Sequence, residues 1–178
     1  MITEDTLRKM SKTALAATLR AGHPVDANAL DGTLYRGTSL GLPRWVVSIT
    51  WLKFIKTFHR DPDTHELRGW NVRVEQDGLD APWTPMRRAG LPVTFGHYRV
   101  VDPPVPGRAG TDQGLLIDYG VPANAPMDPI RLVRDPLVAV NPGDSTLLLG
   151  WSYLELGVPV GTPSFFSLRL GGLLDHVA

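Results

Sequence analysis

The chain has 178 residues, with 18 Lys plus Arg balancing 18 Asp plus Glu, and no cysteine. That length favours one domain spanning residues 1–178, with enough core to fold without staples. Zero net charge lacks the electrostatic footprint of a nucleic-acid binder or a basic membrane-surface protein. The missing cysteine removes disulfides, thiolate chemistry and sulfur-held zinc.

No apolar run is long enough to span a bilayer, so no membrane insertion is expected. The start, Met1-Ile2-Thr3-Glu4-Asp5, is acidic and polar, the opposite of a signal peptide, which points to a cytoplasmic protein. The 18 Gly and 16 Pro are scattered along the chain. Scattered breakers cut a sequence into short elements, which suits strands better than long helices. A hydrophobic content of 43% argues against disorder.

In chain order, residues 3–21 read as an N-terminal helix. Thr3 can cap it, Glu4 and Asp5 suit its positive end, and Leu7, Met10, Ala14 and Ala17 recur at helical spacing. Gly22 and Pro24 stop it. The stripe is thin and Ala-rich, suited to loose packing or to a partner chain in a homo-oligomer. Asp26 to Gly32 is a connector, and Thr33 to Gly37 a short strand. Residues 43–58 carry both periodicities; a helical turn over 43–50 followed by a strand over 51–59 reconciles them.

The later strand signals are cleaner. Asp61-Pro62-Asp63-Thr64 is a turn between the 51–59 run and a strand within 66–76, where Trp70, Val72 and Val74 alternate with polar residues. Further strands are expected at 93–101, 114–120, 137–141, 145–156 and 164–170. Asn141-Pro142-Gly143-Asp144 is a hairpin turn. Strands that are mostly sequential neighbours favour an antiparallel meander. The expected fold is therefore mainly β (α+β): a small antiparallel β-barrel or strongly curved sheet over residues 33–170, with the N-terminal helix against it.

The motifs of common chemistry are missing. There is no Gly-x-Ser-x-Gly elbow and no phosphate-binding glycine loop, so no cofactor is expected. His59 to Glu66 holds five potential metal ligands in eight residues, but it lies where the turn belongs and lacks the glycine of a calcium loop. It reads as a solvated turn.

Polar residues inside apolar strands are the remaining candidates. Strict alternation puts Phe95, His97 and Arg99 on one face, with Thr94, Tyr98 and Val100 on the other. Asp118 sits among Leu115, Leu116, Ile117 and Tyr119; buried there, it would need a partner or a raised pKa. Arg99 on a neighbouring strand is one such partner. The 145–156 strand carries Leu147, Leu149, Trp151 and Tyr153 on one face and Leu148, Gly150, Ser152 and Leu154 on the other. Such a strand is sandwiched, with a ligand cavity on one side and a helix or subunit contact on the other. Lys53 and Lys56 lie in an aromatic run. A buried lysine would be reactive and shifted in pKa; a lysine on a wet strand edge would merely snorkel.

Three readings follow. The first is a lipocalin-like barrel holding a small hydrophobic or amphipathic molecule, with Trp51, Phe54, Trp70, Phe95, Tyr119, Trp151 and Tyr153 as ligand-binding residues. The second is a cofactor-independent enzyme (a cyclase, isomerase or dehydratase) in the same cavity, with Asp118, His97 and Tyr98 as acid–base residues. The third is a self-assembling structural protein.

Thr33-Leu34-Tyr35-Arg36-Gly37, Lys56-Thr57-Phe58 and Phe165-Phe166-Ser167-Leu168-Arg169 together resemble a bacterial family named for a Gly-x-Trp-x-Gly motif. Thr33 stands for its Gly and Tyr35 for its Trp. The resemblance implies a compact β-rich domain and carries no activity with it.

Overall fold

The computed structural model describes residues 1–41, 51–101 and 113–178. The expected helical turn at 43–50 and the Pro103–Gly107 separator lie outside them. Helices come first: α1 (Glu4–Lys9), α2 (Lys12–Arg20) and the single turn α3 (Ala27–Leu30). Eight strands then form the barrel: β1 (Thr33–Leu40), β2 (Lys53–Arg60), β3 (Leu67–Val72), β6 (Thr94–Val101), β7 (Leu115–Asp118), β8 (Val133–Asn141), β9 (Asp144–Glu155) and β10 (Pro159–Leu173). A short side hairpin, β4 (Arg87–Arg88) and β5 (Leu91–Pro92), is inserted between β3 and β6.

The order around the barrel is β1-β10-β9-β8-β7-β6-β3-β2, and it closes. Apart from the inserted hairpin, each strand pairs antiparallel with its sequence neighbours, and β10 returns to β1. Closure removes every barrel edge, the usual solution for a meander of this length. Both sequence-read turns form. Asp61 Oδ1 accepts from the amides of Asp63 and Thr64 at 3.0 Å, and Gly143 takes the positive φ that the Asn141–Asp144 turn requires.

The N-terminal helical segment is two helices rather than one run. Met10 leaves helical geometry with ψ of 144°, and the Ser11 side chain caps α2 by accepting from Ala14 N. The break rephases the apolar stripe. Leu7, Leu15 and Leu19 are buried, whereas Ala17 is exposed. These leucines pack with Val138, Leu147, Leu149 and Phe165 on the outer wall of the barrel, each burial contributing about 2 kcal/mol. Glu4 pins the segment further: its carboxylate accepts from Thr38 Oγ1 at 2.9 Å and Ser167 Oγ at 3.2 Å, and pairs with Arg169 at 3.0 Å. The helices thus cover the chain's own barrel.

This explains why β9 is apolar on both faces. Leu147 and Leu149 lie under the helices, while Leu148 joins the interior with Tyr35, Phe58, Leu137 and Leu168. Val25 and Leu30 pack into that same interior cluster, at the end where β1 begins. The opposite end holds the cavity.

Candidate functional site

The cavity has a volume of about 400 Å³ and lies at the end of the barrel where β1 finishes and β2 starts. Its upper wall is aromatic and aliphatic: Trp51, Phe54, Phe95, Ile130, Val133 and Phe166. Two glycines make this wall possible. A Cβ at Gly37 would lie 2.3 Å from the Phe54 ring, and one at Gly150 would lie 2.2 Å from the Phe166 ring. The rings fill the space those missing side chains leave.

Below this wall the strand alternation brings charge inside. On β2, Phe54, Lys56 and Phe58 point inward; Lys53, Ile55 and Thr57 point outward. Lys56 is only 1% exposed. Its Nζ donates to Asn71 Oδ1 at 3.0 Å and to the Tyr119 hydroxyl, and it lies 3.5 Å from Asp135 Oδ2. Tyr119 in turn donates to Asp135 Oδ2 at 3.0 Å. Asn71 is held by its own donation to Gly96 O at 3.0 Å. All four residues belong to the cavity wall.

Burial governs the electrostatics of this cluster. Desolvation pulls the Lys56 ammonium down to a pKa of about 8, against the attraction of Asp135, which raises it. Burial first, and the Asp135 charge second, push the Tyr119 and Tyr98 hydroxyls well above the usual phenol value. Rings surround the amine, with Tyr98 4.7 Å, Tyr119 5.0 Å and Phe166 5.5 Å from Nζ. Asp135 Oδ1 is buried and has no hydrogen-bond partner among the described residues. A buried ion pair adds little net stability over well-packed apolar side chains. An incompletely satisfied one inside a cavity makes these four residues the candidate site.

The sequence-read candidates separate into distinct places. Trp51, Phe54, Phe95 and Tyr119 line the cavity. Tyr98 lies beneath it, packed edge-on against Tyr119 at 5.5 Å, with its hydroxyl donating to Thr57 O at 2.5 Å. Asp118 is on the outer face, bound by Arg99 (2.9 Å) and Arg134 (3.0 Å) and by Gly120 N at 2.7 Å. His97 is also outside, near Trp70, and burial followed by the Arg68 charge lowers its pKa. Trp70 packs outside with Ile55, Val72 and Val74. Trp151 donates to Thr162 O at 2.8 Å and sits beside Tyr153, both on the outward side of β9. The structure thus brings four of these residues to one cavity and leaves the others beneath it or on the outer wall.

One difference from the sequence reading has a clear cause. Phe95 and His97 do not share a face. β6 bulges between its Gly69↔Tyr98 and Asn71↔Phe95 pairings, and Gly96 takes φ of 53°, so Phe95 and Tyr98 both turn inward. Lysines 53 and 56 are both buried rather than snorkelling. Lys53 is latched on the outer face by Asp77, by Pro82 O at 2.9 Å and by the Trp83 ring.

Asn71 and Asp135 complete the cluster, and neither was singled out from the sequence. Asp135 escapes because β8 starts at Val133, four residues before the expected strand. Pro136 hides that start: the register runs Arg134↔Tyr153, then resumes at Leu137↔Gly150. The usable signal was parity, since Val133, Asp135, Leu137 and Ala139 fall on one face.

The fold and cavity define the class: a closed, eight-stranded antiparallel barrel with an aromatic-walled pocket. A scan of protein-family models finds none that matches the chain, and a search of curated proteins finds no significant relative. Among the described residues, no cluster of His and carboxylate side chains is arranged to hold a metal ion, and no helix is long and apolar enough to cross a membrane.

Proposed function

We propose that the barrel binds a small amphipathic molecule, apolar body against the aromatic wall and polar head on the Lys56–Asn71–Tyr119–Asp135 cluster. The observation that carries this is the cavity itself. Its roughly 400 Å³ falls within the range of small-molecule sites, and it combines an apolar wall with a few convergent polar groups. The cluster holds one cationic and one anionic side chain, so it favours a neutral head. A carboxylate head would meet the unpartnered oxygen of Asp135.

Native mass spectrometry with decanol tests this directly. Wild-type protein should take up one decanol. Ser152→Trp, which fills the cavity from β9, should abolish uptake. No uptake by wild type, or equal uptake by both, would overturn the proposal.

A second reading is favoured by the state of Lys56. An amine with a pKa of about 8, hydrogen-bonded to a tyrosine and beside a carboxylate, can move protons near neutral pH. Dehydration of a neutral β-hydroxy ketone suits such a cluster. The head presents its carbonyl to Lys56 or Tyr119 and its hydroxyl to Asp135; Asp135 Oδ1 takes the α proton and passes it to the hydroxyl, which leaves as water as the C=C bond forms. The assay is enone absorbance with a ten-carbon β-hydroxy ketone; turnover unaffected by Lys56→Met would sink this reading.

A further inference from the structure

The chain contains four lysines, and their environments differ sharply. Lys9 and Lys12 are exposed on the two N-terminal helices. Lys53 is immobilised outside the barrel by Asp77 and by the carbonyls of Ala81 and Pro82. Lys56 alone forms part of the cavity wall.

We propose that Lys56 Nζ forms an imine with a ketone or aldehyde group of the molecule occupying the cavity. This rests on the reading of the barrel as a small-molecule binder. Three features converge on it. The amine is walled off from water by the Tyr98, Tyr119 and Phe166 rings; that desolvation works for its uncharged, nucleophilic form, against the cation–π attraction of the ring faces. Burial lowers its pKa to about 8, so roughly a tenth of it is neutral at pH 7, against far less than a hundredth for an exposed lysine. Asp135 offers one oxygen 3.5 Å from Nζ and a second, buried and unpartnered, in the same cavity wall. That carboxylate can take protons from the amine and deliver them to a departing oxygen.

The step balances without a further reactant. Neutral Nζ attacks the carbonyl carbon, a C–N bond forms, and the π pair moves to oxygen. A proton leaves nitrogen for Asp135 and passes to that oxygen, giving a carbinolamine. The C–O bond then breaks. Oxygen departs as water, carrying the second proton lost from nitrogen, and the C=N bond remains. Both water protons come from the amine, and nothing is oxidised or reduced. Tyr119, donating to Asp135 and accepting from Lys56, is a positioning residue.

The test uses methyl octyl ketone with sodium cyanoborohydride, which reduces an imine to a stable secondary amine, followed by peptide mapping. One adduct is expected, on the peptide containing Lys56, in at least about tenfold excess over any on Lys9 and Lys12, because only Lys56 lies in the cavity that would hold the ketone beside it. Excess decanol, which cannot form an imine, should suppress the adduct by occupying the cavity. The double variant Lys56→Met, Asp135→Leu removes the amine together with its charged partner; it should lose the adduct while background labelling of Lys9 and Lys12 stays the same. An adduct confined to Lys9, Lys12 or the N-terminus, with decanol still bound, overturns the imine and leaves the binding cavity standing. Neither adduct nor decanol uptake overturns both.

Discussion

Two carboxylates on adjacent strands of the barrel meet different fates. Asp118 on β7 faces out, and Asp135 on β8 faces in, although Asp118 pairs with Arg134, the residue just before Asp135. Asp118 is satisfied at both oxygens: Oδ2 accepts twice from Arg99, and Oδ1 accepts from Gly120 N and pairs with Arg134. Arg99 is half exposed, so water and salt screen that cluster. Asp135 is 3% exposed, keeps one oxygen unpartnered, and shares its other with a lysine and a tyrosine. A charged cluster that is fully satisfied and half wet serves the wall. One that is buried and incompletely satisfied is the candidate site.

This contrast can be broken most directly at Lys56. Lys56→Met alone leaves the Asp135 carboxylate buried without its cation. It should lower unfolding free energy in urea by about 3 kcal/mol or more, and adding Asp135→Leu should recover most of that. A single variant as stable as wild type would show that the inner pair is not coupled.

The pH dependence sharpens the same point. The folded pKa of Lys56, about 8, lies below its ordinary 10.5. Between those values the unfolded chain binds more protons, so stability rises with pH. Relative to the double variant, wild type should gain about 2 kcal/mol between pH 8 and pH 10 and change little from this group below pH 8. Above pH 10 the raised Tyr98 and Tyr119 hydroxyls act in the opposite direction. A flat difference from pH 8 to 10 would place the Lys56 pKa near its ordinary value.

The outer cluster should respond weakly. Asp118→Asn should cost about 1 kcal/mol, less at high salt, and leave decanol uptake unchanged. A loss of uptake would put Asp118 in the binding machinery after all.

Much of the fold was legible because turns and alternation are local. Asp61 to Thr64 and Asn141 to Asp144 carry their turn chemistry in their own side chains, and the two-faced apolar pattern of β9 already required cover on both sides. Part of the cavity was legible for the same reason: Trp51, Phe54, Phe95 and Tyr119 are aromatics in short strand runs. Asn71 and Asp135 were not, because a lone Asn or Asp in a strand reads the same whether it faces water or the interior.

The sequence by itself determined a neutral, cysteine-free chain of short antiparallel strands with helical residues at its start, since composition, turn residues and period-two patterning are properties of neighbours. Only the tertiary structure decided which polar residues face inward. That choice depends on the bulge at Gly96, on strand register around a closed barrel, and on where β8 begins across Pro136. One residue of slip exchanges the two faces of a strand. It also depends on bringing Lys56 to Tyr119, 63 residues away. No local pattern encodes that meeting; closure of the barrel does.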